Sequence, residues 1–210
     1  WGRDAQTTGS KKEILADPKR SLMGMDQETW LAEQIIASKA RWIVLGQQVM
    51  CGPLLLGGVV LNTDQWDGYQ ASRKRLFEAI ESKGKGNVVM LTGDIHSSWA
   101  NELVADPSSY EAASGKAWGV EFVTPGITSG FPSQIPKSLV EGVGKSNPHI
   151  RWYELGSKGF YVLHLSKPRA QADWYLYGDI KSKATKAKYS ASWYAEHGKT
   201  ALYSSAKPAD

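Results

Sequence analysis

In the first half of the chain, apolar residues either recur at helical spacing or form short continuous runs. Apolar residues recur at helical spacing after Asp26, which predicts a helix with Asp26 as its N-cap. The same spacing predicts a second helix over residues 70–82, ended by Gly84. The short apolar runs at 42–45 and 88–91 predict buried strands. Helices and strands that alternate in this way favour an α/β fold.

The second half of the chain has a different pattern. Residues 119–124, 159–165 and 172–177 predict shorter strands. A connection rich in Gly, Pro and Ser occupies residues 125–148, and residues 189–203 are compatible with either a final helix or a loop.

One domain is the simplest organisation for 210 residues, of which 41% are hydrophobic and 22% charged. Residues 1–20 are polar and are predicted to be an irregular lead-in, and residues 180–210 a basic C-terminal extension. Apolar stretches are too short and too often broken by Gly and Pro to predict a membrane span. The first residues have no signal-peptide pattern, so the N-terminus does not indicate a compartment.

The charge and the cysteine content limit the ligands and the covalent or metal cross-links that this chain could have. The net charge is +4, and lysines are frequent late in the chain. They indicate either a solvated face or attraction of anionic substrates and envelope polymers. No recognisable nucleic-acid-binding module accompanies them. The single cysteine, Cys51, excludes an intrachain disulfide and a cysteine-rich zinc site, and its apolar neighbours predict a buried thiol.

The clearest candidate chemistry follows the strand predicted at 88–91, which ends in Gly93-Asp94-Ile95-His96. Ligands in open α/β sheets sit at the carboxyl ends of strands. If the backbone stays extended, Asp94 and His96 point to the same side. A carboxylate and an imidazole together suit a metal ion. The structural alternative is a capping Asp and a hydrogen-bonded His.

Other polar residues are candidates for the same site. Gln47 and Gln48 end the preceding strand, so their amide oxygens could reach the same rim, although ordinary hydrogen bonding is the alternative. Arg73 could bind a phosphate group in bidentate fashion, or pair with a carboxylate such as Asp67. His149 lies in a polar loop and is predicted to be exposed.

Two other classes of function stay open on the residues alone. Ser97 and Ser98 follow His96, but a serine hydrolase would need one of them bonded to a histidine, and the chain has no Gly-x-Ser-x-Gly elbow. Nine tryptophans and nine tyrosines would also suit a non-enzymatic module that binds carbohydrate or envelope polymers. An exposed row of aromatic side chains would favour that module.

Six separated stretches, taken together, carry a family resemblance. They are Arg20-Ser21-Leu22-Met23-Gly24 with Gln27 and Trp30-Leu31; Trp42-Ile43-Val44-Leu45-Gly46-Gln47-Gln48-Val49; Asp64 with Trp66-Asp67-Gly68-Tyr69 and Arg73; residues 87–99 around Gly93-Asp94-Ile95-His96; Gly119-Val120-Glu121-Phe122-Val123-Thr124-Pro125 with Ile127-Thr128-Ser129; and Asn147-Pro148-His149. In this order they resemble the PhoD-like family of alkaline phosphatases and phosphodiesterases, within the calcineurin-like metallophosphoesterase superfamily.

The resemblance implies a four-layer α/β/β/α sandwich, of which this chain supplies the C-terminal portion. It implies hydrolysis of phosphate esters by metal-activated water, in a periplasmic or extracellular protein. Asp94 and His96 would be metal ligands, and Gln48 a further candidate. His149 and Arg73 would contact substrate or stabilise transition-state charge. Oxygen-rich ligands favour calcium beside iron over zinc or manganese.

The early metal-binding motifs of the family do not occur in these 210 residues. The resemblance therefore implies an incomplete metal site and association with the N-terminal half, as a separate chain or an upstream segment. Alone, the chain is expected to bind metal weakly and to lack phosphatase activity.

Overall fold

The computed structural model describes residues 12–84, 86–130, 136–183 and 185–209. The helices of this part are α1 (Lys12–Leu15), α2 (Met25–Ala37), α3 (Gln70–Lys83) and α4 (Lys137–Ser146). The strands are β1 (Ile43–Gly46), β2 (Leu55–Leu56), β3 (Val59–Val60), β4 (Val88–Thr92), β5 (Ser98–Glu102), β6 (Val120–Val123), β7 (Ile150–Glu154), β8 (Lys158–Leu165), β9 (Arg169–Tyr177), β10 (Lys188–Glu196) and β11 (Leu202–Ser205).

The larger sheet has five strands in the order β1-β4-β6-β5-β7. β1, β4 and β6 are parallel, and β5 and β7 are antiparallel to their neighbours. Leu45 lies opposite Met90, which lies opposite Glu121. The carboxyl ends of the three parallel strands therefore meet at one edge of the sheet, where the candidate ligands follow.

Two apolar clusters separate three layers. On one face of the larger sheet, α2 and α3 pack against residues such as Val88 and Met90. On the other face, Val89 and Phe122 pack against a four-stranded antiparallel sheet in the order β11-β10-β9-β8. The α/β class predicted from the sequence is confirmed, and the described residues form consecutive α, β and β layers.

Most elements predicted from periodicity are present. α3 confirms the helix predicted at 70–82, and it ends at Gly84, whose φ of 99° lies in the region that favours glycine. β1, β4, β6, β8 and β9 confirm the five predicted strands. The N-cap prediction for α2 is wrong, because the helix begins after Gly24. Ser21 Oγ accepts from the Gly24 amide at 2.7 Å and donates to Glu28 at 2.5 Å.

The two ends of the chain are more ordered than predicted. Within the predicted lead-in, residues 12–15 form one helical turn that buries Leu15, and residues 1–11 lie outside the described part. The predicted basic extension is instead part of the second sheet. Its strands β10 and β11 place Ala195 and Leu202 in the core between the sheets while Lys188 stays exposed. The helix-or-loop prediction for 189–203 is therefore wrong.

β5, α4 and β7 were not predicted, and neither was the short pair of strands β2 and β3. The five residues of β5, Ser-Trp-Ala-Asn-Glu, are all buried, so they lack the alternation that marks a half-exposed strand. α4 and β7 lie in and just after the Gly/Pro/Ser-rich connection. No helix in the described ranges has the length and apolar character needed to cross a membrane.

Candidate metal centre

The ends of β1 and β4 bring two of the candidate ligands together. The backbone amide of Gln47 donates to the Leu91 carbonyl at 3.0 Å, and the Gly93 amide donates to the backbone carbonyl of Gln48 at 3.2 Å. These bonds extend the parallel pairing two residues past β1 and one residue past β4. Gln48 and Asp94 consequently line the same groove.

The segment after β4 turns sharply instead of continuing as a strand. Asp94 and His96 have φ values of 69° and 59°, in the left-handed region. The Ile95 amide donates to the Gly93 carbonyl at 2.9 Å, which closes a three-residue turn around Asp94. The extended backbone on which the same-side orientation of Asp94 and His96 depended is therefore not observed. Non-glycine residues in this region cost about 1–3 kcal/mol each and cluster at functional sites.

Hydrogen bonds below the turn anchor it to the sheet. Ser97 Oγ donates to the Ile95 carbonyl at 3.2 Å and accepts from Trp99 Nε1 at 2.8 Å. Ser97 and Trp99 are buried, whereas Asp94 and His96 are exposed. The turn therefore presents a carboxylate and an imidazole to solvent from a fixed base.

Asp94, His96 and Gln48 are all exposed. In the described part of the chain, their side chains form no hydrogen bond or ion pair. The capping Asp and bonded His of the structural alternative are thus not observed. Carboxylate oxygen, amide oxygen and imidazole nitrogen are donors that suit hard and borderline cations. Within residues 12–84, 86–130, 136–183 and 185–209, no cluster of three or more His, Cys, Asp or Glu is placed to hold one ion.

Gln47 differs from Gln48 because its side chain is already engaged. Its Nε2 donates to Thr92 Oγ1 at 2.5 Å, and its Oε1 accepts from Trp66 Nε1 at 3.0 Å. The amide that remains available at this rim therefore belongs to Gln48.

Arg73 is buried in the core. Its Nη1 donates to Asp67 Oδ1 at 2.7 Å and to the Cys51 carbonyl at 3.1 Å. Both side chains of this ion pair are buried. The carboxylate pairing weighed as the alternative is what the structure shows, and the guanidinium does not face solvent where a substrate would bind.

His149 is also buried, so its predicted exposure is wrong. Its Nε2 donates to the Pro53 carbonyl at 3.0 Å. Burial lowers the pKa of His149 to about 3, more than the Pro53 bond raises it, so the ring is neutral at physiological pH. The two residues of this bond are 96 positions apart in the sequence, so the local sequence pattern alone predicted a surface position for His149.

A model of the PhoD-like phosphatase family matches residues 2–174. The chain belongs to the PhoD-like phosphatase family. It is 33% identical over 207 residues to alkaline phosphatase D of Bacillus subtilis (strain 168), a match that covers 95% of this chain and 35% of that protein. The chain therefore spans about a third of the length of this curated relative.

A solved structure described as "Structure of PhoD" superposes with a TM-score of 0.87 at 30% identity. The superposition covers 99% of this chain and 40% of that chain. The predicted PhoD-like resemblance is confirmed by these findings, and so is the mixed α/β fold.

Several residues of the PhoD-like motifs hold one buried segment, Cys51–Leu54, by its backbone. Glu121 accepts from the amides of Cys51 and Gly52, at 2.8 and 2.9 Å. Asp67 accepts from the Leu54 amide at 2.8 Å. Arg73 donates to the Cys51 carbonyl and His149 to the Pro53 carbonyl. Because the segment has no strand partner for these groups, buried side chains satisfy them. The thiol of Cys51 is buried as predicted, and burial raises its pKa.

Sequence reasoning missed Glu121 as a site-supporting residue. The available signal was a lone acidic residue within the apolar run Val120-Glu121-Phe122-Val123, all of which is buried. Buried carboxylates need partners, so such a residue predicts a polar network.

Neither Ser97 nor Ser98 is hydrogen-bonded to a histidine in the described part of the chain. The arrangement that a serine hydrolase requires is therefore not seen among these residues.

Proposed function

We propose that this chain supplies the C-terminal part of a metal-dependent hydrolase of phosphate esters, acting on monoesters, diesters or both. The observation that carries the proposal is the rim at the ends of β1 and β4. There Gln48 and Asp94 line one groove and His96 follows on the same turn, with all three side chains exposed. Membership of the PhoD-like phosphatase family supports phosphoester chemistry at this rim.

Asp94 and His96 would be the metal ligands of this chain, and Gln48 would add an amide oxygen. A donor set with two oxygen ligands and one nitrogen favours calcium together with iron over zinc or manganese. A bound cation would supply Lewis-acid stabilisation of the phosphoryl oxygens and activation of water. The chain's own contribution is to hold the three donors on anchored backbone at a solvent-accessible edge.

The remaining ligands would come from the upstream half of the same protein, as a preceding segment or a separate chain. The chain spans about a third of its curated relative, 35%, so there is room for that half. Exposed apolar side chains near the rim supply a surface for it, because Trp30 is 55% and Val44 37% exposed. A periplasmic or extracellular location is proposed on the family resemblance.

The test uses the full-length protein with nitrophenyl phosphate and bis-nitrophenyl phosphate as substrates. Asp94→Asn and His96→Gln should each lower kcat/KM at least about 100-fold, since a ligand is lost. They should also reduce the bound metal measured by elemental analysis. Glu78→Gln, which changes an exposed carboxylate on α3, is the control and should retain activity.

Two results would contradict the proposal. One is unchanged hydrolysis and metal content in Asp94→Asn and His96→Gln. The other is a wild-type protein that hydrolyses both esters after complete removal of metal by a chelator.

A second candidate, a non-enzymatic module that binds carbohydrate or envelope polymers, is favoured by one observation. Side chains alternate along a strand, so Tyr175 faces away from the core that Trp174 joins. The outer face of the second sheet carries an aromatic row in which Tyr175 lies 5.6 Å from Phe160 and 6.1 Å from Tyr189, between ring centroids. Phe160 also lies 6.2 Å from Tyr177. Binding of an envelope polysaccharide that Tyr175→Ala and Tyr189→Ala abolish would support it, and unchanged binding would oppose it.

A further inference from the structure

Glu121 is a buried carboxylate at the centre of the polar network beneath the rim. Its Oε1 accepts from Thr92 Oγ1 at 2.7 Å and from the Cys51 amide at 2.8 Å, with Gln47 Nε2 at 3.4 Å. Its Oε2 accepts from the Gly52 amide at 2.9 Å and from Asn101 Nδ2 at 3.0 Å. Donors from β4, from β5, from the residue that follows β1 and from the buried segment Cys51–Leu54 therefore converge on this single group.

These surroundings require a side chain that only accepts hydrogen bonds. Three of the donors are nitrogen atoms within 3.0 Å, two of which are backbone amides that cannot become acceptors. A glutamine here would place an NH₂ group against at least one of them. That would leave buried donors unsatisfied, although the side chain keeps the same shape.

The network reaches the proposed metal ligands through two short connections. Thr92 is the last residue of β4, two positions before Asp94, and its hydroxyl donates to Glu121. Gln47 donates to the same hydroxyl, and the next residue, Gln48, accepts at its carbonyl from Gly93. Glu121 therefore fixes the ends of β1 and β4 relative to each other, immediately below Gln48 and Asp94.

We propose that Glu121 is a positioning residue for the metal rim: by holding Thr92 and Gln47, it sets the spacing of the Asp94 and Gln48 ligands and so the affinity for metal. This inference rests on the proposed function. Groups that orient metal ligands from behind typically contribute about 10–100-fold to metal affinity. Glu121 acts through Thr92 and Gln47 and does not itself contact solvent or substrate.

Glu102 provides a matched control in the neighbouring strand. It is also a fully buried carboxylate of the larger sheet, and it accepts from the Leu202 amide at 2.7 Å and from Tyr110 Oη at 2.9 Å. Its partners lie on β11, in the 110–113 loop and on β7, where Arg151 Nη1 donates to it at 3.2 Å, and none of them is part of the rim. Loss of its charge should disturb the fold without changing the spacing of the rim.

The experiment compares Glu121→Gln, Thr92→Val and Glu102→Gln in the full-length protein after removal of metal. Ca²⁺ affinity is measured by competition with a chelating indicator, ester hydrolysis is followed over a range of Ca²⁺, and unfolding of the metal-free forms is followed by circular dichroism. Glu121→Gln should bind Ca²⁺ about 10–100-fold more weakly and recover activity at high Ca²⁺. Thr92→Val should weaken Ca²⁺ binding about tenfold, and Glu102→Gln by less than about twofold.

An equal effect of Glu121→Gln and Glu102→Gln on Ca²⁺ affinity would overturn the inference, because it would show a purely structural role. If Glu121→Gln does not fold, Thr92→Val decides, and wild-type affinity in that variant overturns the inference. Asp94→Asn distinguishes a failure of the proposed function from a failure of the role proposed for Glu121. Unchanged Ca²⁺ binding and activity in Asp94→Asn would overturn the proposed function itself, whereas loss in Asp94→Asn with wild-type affinity in Glu121→Gln would overturn only the role of Glu121.

Discussion

At the scale of single residues, the ion pair between Arg73 and Asp67 is expected to be the most costly to break. Both side chains are buried and 2.7 Å apart. Arg73→Met would leave the Asp67 carboxylate buried without its cation, which typically costs about 3–5 kcal/mol. Chemical denaturation of wild type and variant measures this difference.

A pair on the same helix supplies the control for Arg73. Lys74 and Glu78 are exposed and 3.7 Å apart, so Lys74→Ala should change stability by no more than about 0.5 kcal/mol. Similar losses in Arg73→Met and Lys74→Ala would show that the buried pair does not stabilise the fold.

His149 should make the fold sensitive to acid. Its pKa is lowered to about 3 by burial, whereas an unfolded histidine titrates near 6.5. Between these values the unfolded chain binds a proton that the folded chain excludes. Stability is therefore complete above about pH 6.5 and is lost as pH falls toward 3, by at most about 1.4 kcal/mol per pH unit.

His149→Gln removes the titration while keeping an N–H that can donate to the Pro53 carbonyl. Thermal unfolding between pH 7 and pH 4.5 should show a shallower loss of stability in the variant than in wild type. Parallel slopes in the two proteins would contradict a buried neutral histidine at this position.

Arg73 and His149 show which side-chain contacts could be predicted from the sequence and which could not. The carboxylate that Arg73 binds belongs to Asp67, six residues earlier and just before α3, so the pair was among the alternatives. The carbonyl that His149 binds is 96 residues away and carries no side-chain signature. Asp94 and His96 were found because an apolar strand ends just before them, but their left-handed φ values were not predicted, since each depends on the reversal of the chain into β5.

At the scale of elements, Gly159 controls the pairing of β8 with β9. A Cβ atom at this position would lie 2.2 Å from the Tyr175 carbonyl oxygen, which is backbone and cannot move aside. Gly159→Ala should therefore push the strands apart and cost about 1–3 kcal/mol. Gly178 lies just after β9 with open space around its Cβ position, so Gly178→Ala is the control. Equal unfolding midpoints for the two variants would contradict this account.

Elements were predictable from the sequence where apolar residues recur on one side of a helix or form a continuous apolar run, as in β4. α3 has the first of these patterns, and its limits at residues 70 and 83 agree with the prediction of 70–82 within one residue. β5 is buried on both faces without being an apolar run, and β10 mixes small and aromatic residues in no regular order, with a bulge between Tyr189 and Ala191, so neither has a clear period. The packing of the two sheets on each other, which decides both cases, is not encoded locally.

At the scale of the whole molecule, the outer edge of the larger sheet is apolar and exposed in the described residues. β1 is the outer strand of that sheet in the described residues. Val44 pairs with Val89, which is buried between the two sheets, yet Val44 itself is 37% exposed. An apolar residue on a core-facing side is exposed here only because nothing in the described residues covers the edge. An open, apolar strand edge is also a template for association with another chain.

Under the proposed function, an upstream half supplied as a separate chain should bind at β1 and restore activity. Alone, this chain should self-associate, bind Ca²⁺ weakly and hydrolyse no ester, because the described residues place no third His, Cys, Asp or Glu beside Asp94 and His96. Size-exclusion chromatography and ester hydrolysis before and after mixing measure both effects.

Val44→Lys should weaken reassembly at least about tenfold, since it places a charge on the apolar edge. Val162→Lys, at a position that is 39% exposed on β8, should not. Full activity of the chain alone, or equal reassembly of the two variants, would contradict a site shared between the two halves at this edge.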